Sequence, residues 1–249
     1  MARKTAPQAS FDDQLVLFRY FLHELKIDSL GALSVKLNSA EYEGFNESGG
    51  TYFCDYIARI SKMKGAAITP EKLRLYDANI CRHTRQVGEK RGGLRWKYFQ
   101  YVALLFTEIY LDRYFTDAEG FCADLNNWLS TKRTESFGLI DFQPYTVDKL
   151  NKLAFMCATG SGKTLIMHMN ILQFLHYFKR AKRMNSKLSI NKVIVLAPNE
   201  GMSNQHLEEL ALSSIPAAMF QKDRGFTTRR DDVLSLIHIS EPTRLQLIS

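Results

Sequence analysis

The run Cys157-Ala158-Thr159-Gly160-Ser161-Gly162-Lys163-Thr164 constrains this chain more than any other segment, because an apolar stretch precedes it and an amphipathic one follows. Leu153, Ala154, Phe155, Met156, Cys157 and Ala158 form a short continuous apolar run, which predicts a parallel strand covered on both faces. Downstream, Leu165, Ile166, Met169, Ile171, Leu172, Phe174, Leu175 and Phe178 recur near the 3.6-residue period and predict a helix. Lys179, Arg180, Lys182 and Arg183 then complement the negative pole of that helix. A strand, glycine loop and helix in this order make a phosphate cradle: backbone N–H groups and the positive helix end converge on the anion, and glycine lets the backbone close without side-chain collision. Lys163 adds a point charge at the β- and γ-phosphates, and the Thr164 hydroxyl is a ligand for Mg²⁺. The candidate binding residues are therefore Thr159, Gly160, Ser161, Gly162, Lys163 and Thr164, of which Lys163 and Thr164 carry the chemistry. The strict loop pattern has glycine where this chain has Cys157.

A second block follows at the spacing of one β-α-β unit. Asn191 to Ala197 reads as the next parallel strand, and Pro198-Asn199-Glu200-Gly201-Met202-Ser203-Asn204-Gln205 follows it. The glycine loop resembles motif I, and the second block motif Ia, of superfamily 2 helicases of the DEAD/DEAH kind. The likeness is greatest to the restriction subunit of type III restriction enzymes, and it covers roughly residues 142 to 212. The resemblance implies ATP and Mg²⁺ as cofactors, ATP-driven movement on double-stranded DNA, and a methyltransferase or modification subunit as a partner. It places Pro198, Asn199 and Gln205 along a nucleic-acid backbone. In Phe142-Gln143-Pro144-Tyr145-Thr146 it makes Gln143 the candidate reader of the adenine edge, although aligning Pro144-Tyr145 with the family's P-Y-Q pattern puts Thr146 at the glutamine position. Asn199 also suits a helix cap, with Gln205 simply exposed, and both readings stand together. Two narrower readings stay open: a P-loop nucleoside triphosphatase with no nucleic-acid function, and a fragment that only binds nucleotide.

Leu234 to Arg244 resembles no helicase element. It matches, residue for residue, the translation of a transposase-type sequencing adapter, and Ile248-Ser249 continues that adapter in frame. The expectation is that residues 234–249 are adapter-derived and that native sequence stops near Val233. Before that point neither a carboxylate box nor a second lobe with its arginine occurs, and Asp231-Asp232 reads as a solvated turn. The intact parent is then expected to be an ATPase and this fragment inactive, since the charge stabilisation of the missing lobe is worth on the order of 10³ or more in rate.

The first 135 residues carry helical patterning without a chemical motif. Ser10 to Asp13 looks like a capping box ahead of Leu15, Leu17, Phe18, Phe21, Leu22 and Leu25; Trp96 to Phe115 reads as a buried helix; Thr116 to Glu119 repeats the box before Phe121, Leu125, Trp128 and Leu129. Arg82, Arg85, Lys90, Arg91, Arg95 and Lys97, interleaved with Trp96 and Tyr98, suit either a single-stranded nucleic acid or a solvated basic loop. The net charge of +7 is compatible with phosphate-rich partners and also ordinary for a soluble protein. Cys54, Cys81, Cys122 and Cys157 are widely spaced, as free thiols in a reducing compartment are. No apolar run reaches membrane-spanning length, and the start Met-Ala-Arg-Lys-Thr has no secretory core, so a cytoplasmic location is expected. The expected fold class is α/β: a partial RecA-like P-loop parallel sheet over residues 136–233, preceded by a mainly α-helical accessory domain over 1–135.

Overall fold

Apolar side chains recurring every three to four residues wind most of this chain into helices. The computed structural model describes residues 14–135, 143–219 and 234–238. In order these are α1 (Val16–Glu24), α2 (Leu30–Leu37), α3 (Tyr52–Met63), α4 (Pro70–Gly88), α5 (Tyr98–Thr116), α6 (Ala118–Glu135), α7 (Lys163–Met184), β1 (Val193–Ala197), α8 (Glu200–Leu212), β2 (Ala217–Met219) and β3 (Leu234–His238). The chain divides into two compact units, Met1–His83 with Arg95–Ala181, and Thr84–Leu94 with Lys182–Ser249.

Aromatic rings fill the centre of the first unit. Phe21 of α1 lies 5.4 Å from Phe106 of α5 and 6.2 Å from Phe121 of α6, and Tyr20 meets Trp128 edge-on at 5.6 Å. Such pairs add about 0.5–1.5 kcal/mol each beyond the burial of their area. Arg113 closes this cluster, with its guanidinium 5.1 Å above the Phe121 ring and a 2.7 Å hydrogen bond to the Tyr20 hydroxyl. Local caps set the helix starts. Thr51 Oγ1 accepts from Cys54 N–H at 3.0 Å ahead of α3, and Asp77 fixes Thr51 in turn by accepting from its N–H at 2.8 Å and its hydroxyl at 2.6 Å. At α6 the cap is Asp117 rather than Thr116, its Oδ1 accepting from Gly120 N–H at 2.8 Å. The box expected at Ser10 to Asp13 lies outside the described residues.

The expected α/β class with a RecA-like sheet is overturned. The described residues are mostly helical, with only three short strands, and Leu153 to Ala158 is not one of them. An extended apolar segment becomes a buried strand only where a neighbour satisfies its backbone and a layer covers each face. Here Leu153, Phe155 and Met156 are 37%, 39% and 66% exposed. The glycine loop and α7 instead share a compact unit with α1 to α3, α5 and α6.

The second unit holds the strands. They run parallel in the order β1-β3-β2, with Val195 opposite Leu236 and Met219 opposite the same residue. The first five residues of the tail expected to be adapter-derived thus form the middle strand; main-chain pairing asks only for a segment able to extend. Alternation along β1 buries Val195 and Ala197 and exposes Ile194 and Leu196. Asn199 starts α8 by accepting from Met202 N–H at 2.9 Å. Arg91 finishes it: its guanidinium donates to Glu209 O (2.9 Å), Glu209 Oε2 (2.7 Å), Ser213 Oγ (2.9 Å) and Val87 O (2.8 Å), while Lys90 Nζ reaches Ala211 O at 3.0 Å. Two cations on the carbonyl end of a helix both satisfy its orphan acceptors and oppose its dipole.

Candidate phosphate-binding site

Two left-handed glycines shape the loop ahead of α7. Gly160 has φ +76° and Gly162 φ +82°, a region in which a side chain clashes with its own backbone. The first tight turn is closed by Ser161 N–H donating to Ala158 O at 3.2 Å, and the helix ladder begins with Ile166 N–H on Gly162 O at 3.1 Å. By helix geometry the N–H groups of Lys163, Thr164 and Leu165 then have no acceptor within α7. Those donors and the positive pole of a 22-residue helix face the end where the loop turns.

The side chains of the loop fit an anion. Lys163 is exposed, and its Nζ folds back over two loop carbonyls, Ala158 O at 3.2 Å and Cys157 O at 3.4 Å. Those are weak, long contacts that a phosphate oxygen exchanges readily, since a full negative charge attracts an ammonium more strongly than a carbonyl dipole does. Ser161 Oγ is buried with no hydrogen-bond partner among the described residues. A buried hydroxyl left unpaired costs about 1–3 kcal/mol, which a ligand oxygen would recover. Thr164 is half-buried on the first turn of α7, next to Lys163, where its hydroxyl suits a hard cation held by phosphate.

The support of this loop was invisible to residue patterning. Gln100, at the third position of α5, donates from Nε2 to Ser161 O at 2.8 Å. Deeper along α7, Gln173 Nε2 donates to Glu108 Oε1 at 2.7 Å and Leu104 O at 3.0 Å, and the Tyr177 hydroxyl donates to Glu108 Oε2 at 2.6 Å. Asn79 completes the set with 2.9 and 2.8 Å bonds to the same carboxylate. Burial raises Glu108 above the usual carboxylate range, although the bonds from Tyr177, Asn79 and Gln173 pull the other way. One turn on, burial also works against the charge of Asp112, but hydrogen bonds from Lys72, Arg180 and Tyr76 outweigh it and hold that carboxyl low. The buried face of α7 therefore carries polar side chains beside the apolar ones that mark its period, with Gln173 and Tyr177 as buried as Ile166, Met169 and Phe178.

Gln143 is exposed in the extended stretch before a short turn at Val147–Asn151. Two residues on, Tyr145 is pinned by Asn126, which donates to its carbonyl at 2.9 Å and accepts from its N–H at 2.8 Å. Pro198, Asn199 and Gln205 are exposed in the second unit; Asn199 serves as the α8 cap. In the basic cluster, Arg91 and Lys90 are engaged by α8, Lys97 Nζ lies 2.6 Å from Glu43 and Trp96 is buried, which favours an internal role over nucleic-acid contact for these four. Asp231-Asp232 lies outside the described residues. Among the described residues no helix is long and apolar enough to cross a membrane, and no group of three His, Cys, Asp or Glu could hold a metal ion by itself. No family model, curated protein or solved structure matches the chain.

Proposed function

We propose that this chain binds the triphosphate tail of ATP, with Mg²⁺, in the loop Thr159 to Thr164. The observation that carries this reading is the conformation of the loop: left-handed Gly160 and Gly162, an α7 N-terminus with spare donors, and an exposed Lys163 resting on loop carbonyls. Lys163 would leave Ala158 and Cys157 for the β- and γ-phosphate oxygens, Ser161 Oγ would gain an acceptor, and Thr164 would join the cation's ligands. Bound Mg²⁺ neutralises charge on the phosphate oxygens; orientation of the tail is the work of the backbone N–H groups. Gln143 is the candidate for the adenine edge, and the Asn126 clamp on Tyr145 restrains the backbone two residues from it.

The wider setting is a cytoplasmic restriction-type motor that moves on double-stranded DNA beside a modification subunit. It rests on the likeness of motifs I and Ia, with exposed Pro198 and Gln205 free to meet phosphate. A nucleotide-binding protein without a nucleic-acid role is the second reading, favoured by the internal engagement of Lys90, Arg91 and Lys97 and by the capping duty of Asn199. Calorimetric titration of Mg-ATP into the chain and its Lys163→Ala variant tests the core proposal. The expected result is saturable binding that weakens about tenfold or more in the variant, the scale of one charged hydrogen bond. Absence of binding by the unsubstituted chain would overturn it, and added duplex DNA that leaves nucleotide affinity unchanged would favour the second reading.

A further inference from the structure

We infer that Gln100 is a positioning residue for the phosphate-binding loop, an inference that rests on the ATP reading above. The two ends of its amide do different work. Oε1 accepts from Lys97 N–H at 2.8 Å, half of a capping box at the start of α5, and lysine has no acceptor with which to return the bond. That contact orients the amide and leaves Nε2 to donate to Ser161 O at 2.8 Å, 61 residues along the chain.

The peptide between Ser161 and Gly162 is planar and trans, so its C=O and N–H point in opposite directions. Holding the Ser161 carbonyl toward α5 therefore turns the Gly162 N–H away from α5, to the side on which an anion would be received. The glycine that follows Ser161 accepts either sign of φ, which makes the flipped peptide easy to reach, and the flipped form would present a carbonyl oxygen to a phosphate. Gln100 stands against that flip. It also occupies the space beside Gly162, where an added Cβ would lie 2.6 Å from Nε2. The glycine at this position thus answers to its left-handed φ and to the close approach of an α5 side chain together.

Gln100→Glu separates this role from helix capping. Glutamate at the same position still accepts the Lys97 N–H, but it replaces the donor facing Ser161 O with a second acceptor until it is protonated. Mg-ATP affinity would be measured by calorimetry on the full chain at about pH 7.5, where an ordinary glutamate is ionised. Gln100→Met, which keeps the length of the side chain without donor or acceptor, would be measured beside it. Relative to the unsubstituted chain, Gln100→Glu is expected to bind about tenfold more weakly and Gln100→Met about fivefold more weakly. If Gln100→Glu does not fold, Gln100→Met decides, with exchange of the Gly162 amide as its second readout: faster exchange is expected, and exchange and affinity both unchanged would overturn the inference. Affinity of Gln100→Glu equal to the parent would also overturn it while Lys163→Ala still weakens binding. If the parent itself binds no nucleotide, the phosphate reading and this inference fall together.

Discussion

Gln173 of α7 donates to the fully buried carboxylate of Glu108 on α5 at 2.7 Å, tying the helix that leaves the glycine loop to the centre of the first unit. Tyr177 and Asn79 close on the same group. A carboxylate survives burial only when its lone pairs are matched by donors, and here three side chains supply four bonds while the nearby Arg82 charge adds a smaller pull. Glu108→Ala strands all three donors and is expected to cost about 3 kcal/mol in urea denaturation, whereas Tyr177→Phe removes one bond and should cost about 1 kcal/mol. Equal effects of the two substitutions would mean that the cluster is not organised around the carboxylate.

Two buried acids should give stability opposite pH dependence. Glu108 is raised by burial, so the folded chain holds its proton more tightly than the unfolded one; that advantage is present below the ordinary glutamate value near ~4.3 and lost as pH rises through the raised value. For Asp112, burial is outweighed by bonds from Lys72, Arg180 and Tyr76, so its contribution is present above the ordinary aspartate value near ~3.9 and lost as pH falls through the lowered one. Urea midpoints recorded from about pH 3 to 8 should show a flatter neutral limb in Glu108→Gln and a flatter acid limb in Asp112→Asn. The reverse pattern would contradict the assignment of the two environments.

The glycines of the loop should differ in what replacement costs. At Gly160 an added Cβ meets nothing within 4 Å, so Gly160→Ala pays only for its left-handed φ, about 1 kcal/mol in thermal unfolding. Gly162→Ala meets Gln100 as well and should cost about 1 kcal/mol more. Pairing it with Gln100→Ser is expected to return part of the difference, and a double variant no better than the single one would count against the contact.

Arg91 predicts a fourth outcome. Four of its bonds reach α8, the turn after it and the end of α4, from a side chain only 16% exposed. Arg91→Ala is expected to destabilise the second unit by about 2–3 kcal/mol, and Arg91→Lys to recover little of it, because one ammonium cannot span a planar fork. Hydrogen exchange across Glu200–Leu212 would report the loss locally.

Much of this layout is readable from spacing alone. The patterns around Phe21, Val102 to Ile109 and Ile166 to Phe178 announce α1, α5 and α7; the polar residue before Glu200 announces a cap; Asn191 to Ala197 announces β1, which starts two residues later at Val193. Leu153 to Met156 misleads because a short apolar run states a preference for burial and says nothing about whether a strand lies alongside. Gln100 and Gln173 carry no local mark at all. Their partners are 61 and 65 residues distant, and a glutamine facing a buried acid looks in sequence like a glutamine facing water. Arg91 is similar: seen along the chain it joins a basic cluster, whereas in space its neighbours are the carbonyls of α8.

Among the described residues β1 is an edge strand, which bears on how this protein behaves in a test tube. Ile194 and Leu196 stand two residues apart on a greasy outer rail beside main-chain groups that no described strand matches, the combination by which one molecule zips onto another. Crowded preparations would therefore be expected to clump through this rail, and a lysine planted at 196 should keep them dispersed.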